Sequence, residues 1–198
     1  MGISAISSRL AQLALSLPCY NVYMKTINGM TFFWGREDAL SNFFKRDFMV
    51  GGLKFNCNEQ YIMWSKAVLF GDNAQARAVR QLTEPLDQRN AGRKVIGYSD
   101  DIWFANRTRI AVEGALAKFG QNKDLGDILL GTEGTALVEA SPSDKIWGVG
   151  LGVDDPRILD RSKWRGQNLM GDVAELARAH LGAERRMRMW QEQLRLAV

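Results

Sequence analysis

In the stretch NCNEQYIMWSKAVLFGD, residues 56–72, two opposite charges sit among large apolar side chains. Helical offsets of three, four and seven residues return to one face, so Glu59, Ile62 or Met63, and Lys66 share a stripe. Asn58 is the expected N-cap, since its side-chain oxygen can accept a free amide of the first turn. Glu59 then lies in that turn, where the helix dipole favours a carboxylate unless burial in an apolar cleft outweighs it. Facing inward, the pair can do acid–base or electrostatic work. Facing water, it is an ordinary surface ion pair.

Other chemistries find few residues to carry them. A serine or cysteine nucleophile normally needs a histidine base, and the single histidine, His180, lies late in a helical pattern where a solvated or capping role is expected. Cys19 and Cys57 give neither a disulfide framework nor zinc spacing, which points to a reducing compartment, to a cytoplasmic location and to no metal site. The 198 residues suit one well-buried domain, at 46% hydrophobic and 24% charged. A formal charge of +4 mildly favours anionic partners such as phosphates or nucleic acid.

The elements that must position these groups read as a mainly α-helical α+β chain. The segment DFMVGGLKFN is expected to be a hairpin turning at Gly51-Gly52. Helices are expected over 59–70, over 73–82 capped by Asp72, and over 86–94 behind Pro85. A long helix is expected from the Ser99 region to a stop at Gly120, and a shorter one over 123–130. A strand-like TALVEA leads into SPSDKIWGVGLG, an ordered glycine-rich loop of a kind that often holds function. Residues 168–181 are expected to be helical with Gly182 at the end, followed by a separate terminal helix from Ala183. Residues 4–17 (SAISSRLAQLALSL) are too short to span a bilayer and lack a cleavage pattern, so residues 1–29 read as an extension, with at most a short amphipathic helix.

Six segments occur together in an order that resembles the NADAR, or YbiA-like, family: LSNFF, NEQYIMWSKAVLFGD, GRKV, KFGQNKDLGDILLGT, LVEASPSDKIWGVGL and WRGQNLMG. The similarity runs from about Phe32 to Leu181. It implies a YbiA-like single domain over 30–182 with a small β-hairpin sheet, flanked by the extension at 1–29 and a basic amphipathic helix at 183–198. It also implies an N-glycosidase. Some family members cleave the ribosylamine bond of early riboflavin-pathway intermediates, and others remove ADP-ribose from guanine bases. Both substrates carry ribose on an exocyclic amine of a guanine-like ring, so the bond to be cut is a glycosylamine.

Cutting it requires a proton for the leaving nitrogen and negative charge beside the developing oxocarbenium ion, tasks that two carboxylates can divide. Matched to the family motifs, that pair is Glu59 and Asp144, with acid and base unassigned. Lys66 has two possible roles: charge that orients Glu59 or holds a ribose oxygen, which is preferred, or exchange into the ring-opened imine as a Schiff base. No cofactor is needed, and water is the co-substrate. Asn42 and Phe43 could bond and stack on the base or simply form a buried turn, and Trp147 could stack on it or serve the core. Arg93 is a phosphate candidate. Trp103 and Arg107 are candidates for the pocket wall, and Gly148 for a close backbone approach to ligand.

Where some riboflavin-type members have an aspartate after WG, this chain has Val149, which resembles branches acting on ADP-ribosylated guanine. The expected substrate is therefore ADP-ribosyl-guanine in DNA or nucleotide, with ribosylaminopyrimidine phosphate as the alternative. No membrane partner is expected, and the oligomeric state is open. Two rivals remain: a module that binds ADP-ribose without cutting it, which retention of Glu59, Lys66 and Asp144 opposes, and nucleic-acid binding through the last helix. There Arg185, Arg186 and Arg188 accompany an apolar stripe of Met187, Trp190 and Leu194, which is expected to pack on the domain.

Overall fold

A computed structural model describes residues 24–196 of the chain. The apolar stretch at 4–17 and Cys19 fall outside them. The architecture is α+β and mainly helical, with two small sheets against a helical body. Strands β1 (Lys25–Ile27) and β2 (Met30–Phe33) form an antiparallel hairpin that turns through Asn28 and Gly29, both at positive φ. Strands β3 (Phe48–Val50) and β4 (Leu53–Phe55) form the second hairpin, with Gly51 and Gly52 both left-handed as that tight turn demands. Strand β5 (Ala136–Glu139) pairs in parallel with β2, Met30 opposite Ala136 and Phe33 opposite Glu139. The larger sheet thus takes in residues 25–27, which the sequence reading had placed in the extension.

The helices are α1 (Asn58–Leu69), α2 (Asn73–Gln81), α3 (Pro85–Gly92), α4 (Asp100–Gln121), α5 (Lys123–Leu130) and α6 (Leu169–Leu196). Helix α1 is central, packed on α2, α3 and α4, so most of its side chains are buried on every side. Its N-cap is Cys57 rather than Asn58: the Cys57 sulfur accepts the Gln60 amide at 3.4 Å. Asn58 is instead the first helical residue, buried, and donates through Nδ2 to Asn42 Oδ1 at 2.7 Å. Asp72 caps α2 as expected, accepting from the Gln75 amide at 2.9 Å.

Two glycines set how closely the helices approach α1. A Cβ on Gly92 of α3 would overlap the Met63 side chain, and one on Gly114 of α4 would overlap Asn58 Oδ1 and the Tyr61 ring. The core runs from Phe33 and Leu40 through Phe55, Ile62, Phe119 and Leu129 to Ala177. A smaller apolar cluster of Phe32, Val138, Val149, Leu151 and Ile158 lies beyond the sheet.

Helix α6 corrects one expectation. It passes through Gly182 without a break, since that residue keeps a right-handed backbone and the strong helix formers Ala183 to Arg186 follow it. The stripe of Met187, Trp190 and Leu194 does not pack on the domain; all three side chains are exposed. Beyond Leu181 the helix leaves the body, and its tie back is the exposed ion pair of Arg185 with Asp127 at 3.1 Å. Among the described residues no helix is long and apolar enough to cross a membrane.

Candidate active site

A cavity of about 750 Å³ opens between one face of α1, the end of α3 and the loop at 140–151. Glu59, Lys66, Asp144, Asn42, Phe43, Arg93, Trp103 and Trp147 all line it. Gly148 and Arg107 do not. Gly148 stands behind the wall, where a Cβ would come within 2.7 Å of Ser141 Cβ and 3.0 Å of the Glu139 carbonyl oxygen. Arg107 is turned away: its guanidinium donates to Gln167 Oε1 at 2.9 Å and lies over the Phe104 ring at 4.8 Å.

Glu59 is 7% exposed, and its amide donates to the Asn42 carbonyl oxygen at 3.1 Å. Burial pushes its carboxyl up to about 7; Arg89, Arg93 and Lys66 oppose the shift, and Asp144 adds to it. Lys66, one face along, lies over the Tyr98 ring at 4.2 Å and near that of Trp103 at 5.6 Å. Desolvation holds its ammonium below the usual lysine range, and repulsion from Arg93 acts the same way. Asp144 Oδ1 accepts the amides of Ile146 and Trp147, each at 2.8 Å, so the carboxylate is fixed by the loop that carries it.

That loop is braced by the segment leading into α6. The amides of Arg165, Gln167, Asn168, Leu169 and Met170 donate to the carbonyl oxygens of Val149, Lys145, Gly148, Ile146 and Trp147 in turn. Gly166 and Gly150 permit this approach: a Cβ on Gly150, at φ +69, would lie 2.9 Å from Arg165 Cβ. The loop bearing Asn42 and Phe43 is held from below by Lys118, whose buried Nζ donates to the carbonyl oxygens of Ala39 and Ser41 at 3.0 and 2.8 Å. Asn42 Oδ1 is already engaged by Asn58.

Sequence reasoning missed three charged wall residues: Lys145, next to Asp144 on the loop, and the pair that follows. Glu139 ends β5 with Oε2 sealed from solvent and without a hydrogen-bond partner. Arg89, on α3, places its guanidinium 5.5 Å from the Phe43 ring centre, and its Nε is likewise sealed and unpartnered. A signal for each of that pair was present: Arg89 is four residues before Arg93, and a lone carboxylate interrupts the apolar run of TALVEA. Trp34, 53% exposed, also lines the mouth. Val149 points into the apolar cluster beyond the sheet rather than into the cavity. Among the described residues no group of three or more His, Cys, Asp or Glu side chains is placed to hold a metal ion.

The arrangement is a floor of carboxylates beneath a cationic and aromatic wall, suited to a sugar bearing phosphate and a flat base. A model of the NADAR domain matches residues 32–182. Protein irg-1 of Caenorhabditis elegans is 39% identical over 144 residues, covering 72% of this chain and 68% of its own. N-glycosidase R617 of Acanthamoeba polyphaga mimivirus is 41% identical over 115 residues, covering 58% and 68%. N-glycosidase YbiA of Shigella flexneri is 26% identical over 145 residues, covering 73% and 82%. In fold, the NMR structure of the E. coli protein YbiA matches with a TM-score of 0.68 at 22% identity, over 85% of this chain and 94% of that one. The chain belongs to the NADAR family.

Proposed function

We propose that the chain is a hydrolytic N-glycosidase that removes ADP-ribose from modified guanine bases, in DNA or as nucleotide. Two curated relatives that carry the N-glycosidase name support the reaction class. The observation that carries the substrate is the size and charge of the cavity. At about 750 Å³ it lies in the upper part of the range for ligand sites, with Lys66, Arg89, Arg93 and Lys145 on its walls. A diphosphate calls for several cations, whereas one phosphate is satisfied by a single arginine fork.

In this reading the anomeric carbon sits over Glu59 and Asp144. As the C–N bond breaks, its electron pair passes to the exocyclic nitrogen, and the carboxylate charge stabilises the oxocarbenium ion left behind. Water adds to that carbon and gives up one proton to a carboxylate while the leaving nitrogen takes one from an acidic group of the site, so a free amine and a free ribose hydroxyl result. Phe43 and Trp147 sandwich the guanine. Lys66 acts as a fixed charge that holds Glu59 and a ribose oxygen.

The test is hydrolysis of ADP-ribosylated guanine DNA and of ribosylaminopyrimidine phosphate side by side, with Glu59→Gln as control. Release of ADP-ribose that the control abolishes is the expected result. Cleavage of the small phosphate alone moves the protein to the second substrate, and cleavage of neither leaves a binding module.

A further inference from the structure

The pair of carboxylates taken from the motifs leaves one role unassigned: the group that holds a proton when the substrate arrives. Asp144 spends one oxygen on two backbone amides, as an acceptor. Glu59 faces Arg89, Arg93 and Lys66, whose charges hold back the rise that burial gives its carboxyl, to about 7. Glu139 differs from both. Its carboxyl lines the same cavity from the end of β5, and the charges that act on it most are acidic. Oε2 is sealed with no partner in the protein, so a negative charge there goes unanswered, which favours the protonated carboxyl.

We propose that Glu139 is the general acid of the reaction, delivering its carboxyl proton to the departing guanine nitrogen while Glu59 and Asp144 manage the water and the oxocarbenium charge. The proposal rests on the glycosidase reading above. The step balances: the C–N electron pair and the Glu139 proton make the N–H of the free amine. The proton shed by water goes to a facing carboxylate and returns to Glu139 before the next turnover.

The surroundings suit this role. The groups facing Glu139 are Asp144, Glu59 and Asp38, all acidic, and their repulsion adds to burial in raising its carboxyl to about 8. Just before α6, Asn168 accepts its amide at 2.9 Å, and on α6 Glu175 accepts the Leu137 amide two residues earlier at 2.8 Å. Its own carbonyl oxygen accepts the Ser141 and Val149 amides. The backbone is thus fixed on both sides, and a donor of this kind must be held within hydrogen-bond reach of the leaving atom.

The experiment compares wild type with Glu139→Gln on ADP-ribosylated guanine DNA across pH, alongside infrared titration of both proteins without substrate. The expected result is a kcat reduced on the order of 100-fold or more in the variant, with ADP-ribose affinity by calorimetry unchanged. Wild-type kcat should fall above about pH 8, and the variant's profile should lose that limb. A carboxylic-acid band present at neutral pH in wild type should vanish on raising the pH and be missing from the variant. Activity within about threefold of wild type, or an unchanged alkaline limb, overturns the inference and leaves the glycosidase reading standing. Should the variant fail to fold, absence of the titrating band from wild type overturns it alone. A wild type inert on both substrates overturns both.

Discussion

The side chain of Asn168 grips the strand that ends in Glu139: Oδ1 accepts the Glu139 amide and Nδ2 donates to the Leu137 carbonyl oxygen, both at 2.9 Å. Asn168 has a left-handed backbone at φ +59, a conformation asparagine tolerates better than most residues. Replacing it by alanine therefore loses two hydrogen bonds, one buried and one partly buried, and adds backbone strain. The expected cost is about 2–4 kcal/mol, read by denaturant unfolding. Asn168→Gly should recover only the strain part. In both, kcat should fall more than KM rises, because the strand end that aims Glu139 is released.

Stability should also carry the sign of the Glu139 titration. A carboxyl raised to about 8 in the fold and ordinary in the unfolded chain contributes least cost when protonated in both states. That stability is present in full below the ordinary carboxylate range and drains away as pH rises through about 8. Glu139→Gln should therefore melt with wild type near pH 4 and above it near pH 9. A variant that melts lower at the alkaline end would contradict the buried, proton-holding carboxyl.

Lys66 separates charge from covalent chemistry. As a fixed charge, it should tolerate Lys66→Arg with activity down by about tenfold, since the guanidinium keeps the sign but not the shape. If the lysine instead exchanges into a ring-opened imine, the arginine variant loses nearly all activity, and borohydride added during turnover leaves ADP-ribose on Lys66, visible by peptide mass.

Closeness of the helices around α1 predicts a compensating pair. Gly92→Ala drives a methyl into the Met63 side chain and should cost about 1–3 kcal/mol. Met63→Ala alone opens space in the core. The double variant should be more stable than the sum of the two losses, because each change relieves the other. Gly114→Ala meets Asn58 and Tyr61 instead and should find no such relief from Met63→Ala.

The far end of α6 makes the opposite prediction. Met187, Trp190 and Leu194 are exposed, and the Arg185–Asp127 pair is on the surface. Removing residues 184–198, and with them Arg185, Arg186 and Arg188, should change unfolding free energy by less than about 1 kcal/mol and leave catalytic rates unchanged. If salt-sensitive DNA binding survives the deletion, the arginines of this helix are not its source.

What could be read from the sequence was local. The Glu59–Lys66 stripe, the Gly51-Gly52 turn and the Asp72 cap follow from spacing and residue type and are found where spacing put them, whereas Asp144 was picked out by the family motif. What could not be read was long-range. Glu139 enters the cavity because β5 joins β2 in parallel, a pairing between segments about a hundred residues apart that no periodicity reports. Arg89 gains importance only once α3 docks against α1. Cys57 displaced Asn58 as the cap because Asn58 is drawn inward to Asn42, a tertiary hydrogen bond stronger than the local preference. The Gly182 stop failed for a local reason: a lone glycine costs about 1 kcal/mol in a helix, and good helix formers on both sides outweigh it.

The outer edge of β5 shows one more property of the chain. Its Leu137 amide and carbonyl and its Glu139 amide are all satisfied by side chains of Glu175 and Asn168, so no row of free backbone groups faces outward there. A neighbouring molecule cannot add a strand at this edge, which removes a common route to sheet-extended aggregates. The protection depends on α6 and arrives last along the chain. A nascent or truncated polypeptide ending before Asn168 exposes that edge, and should precipitate where the complete chain stays dispersed.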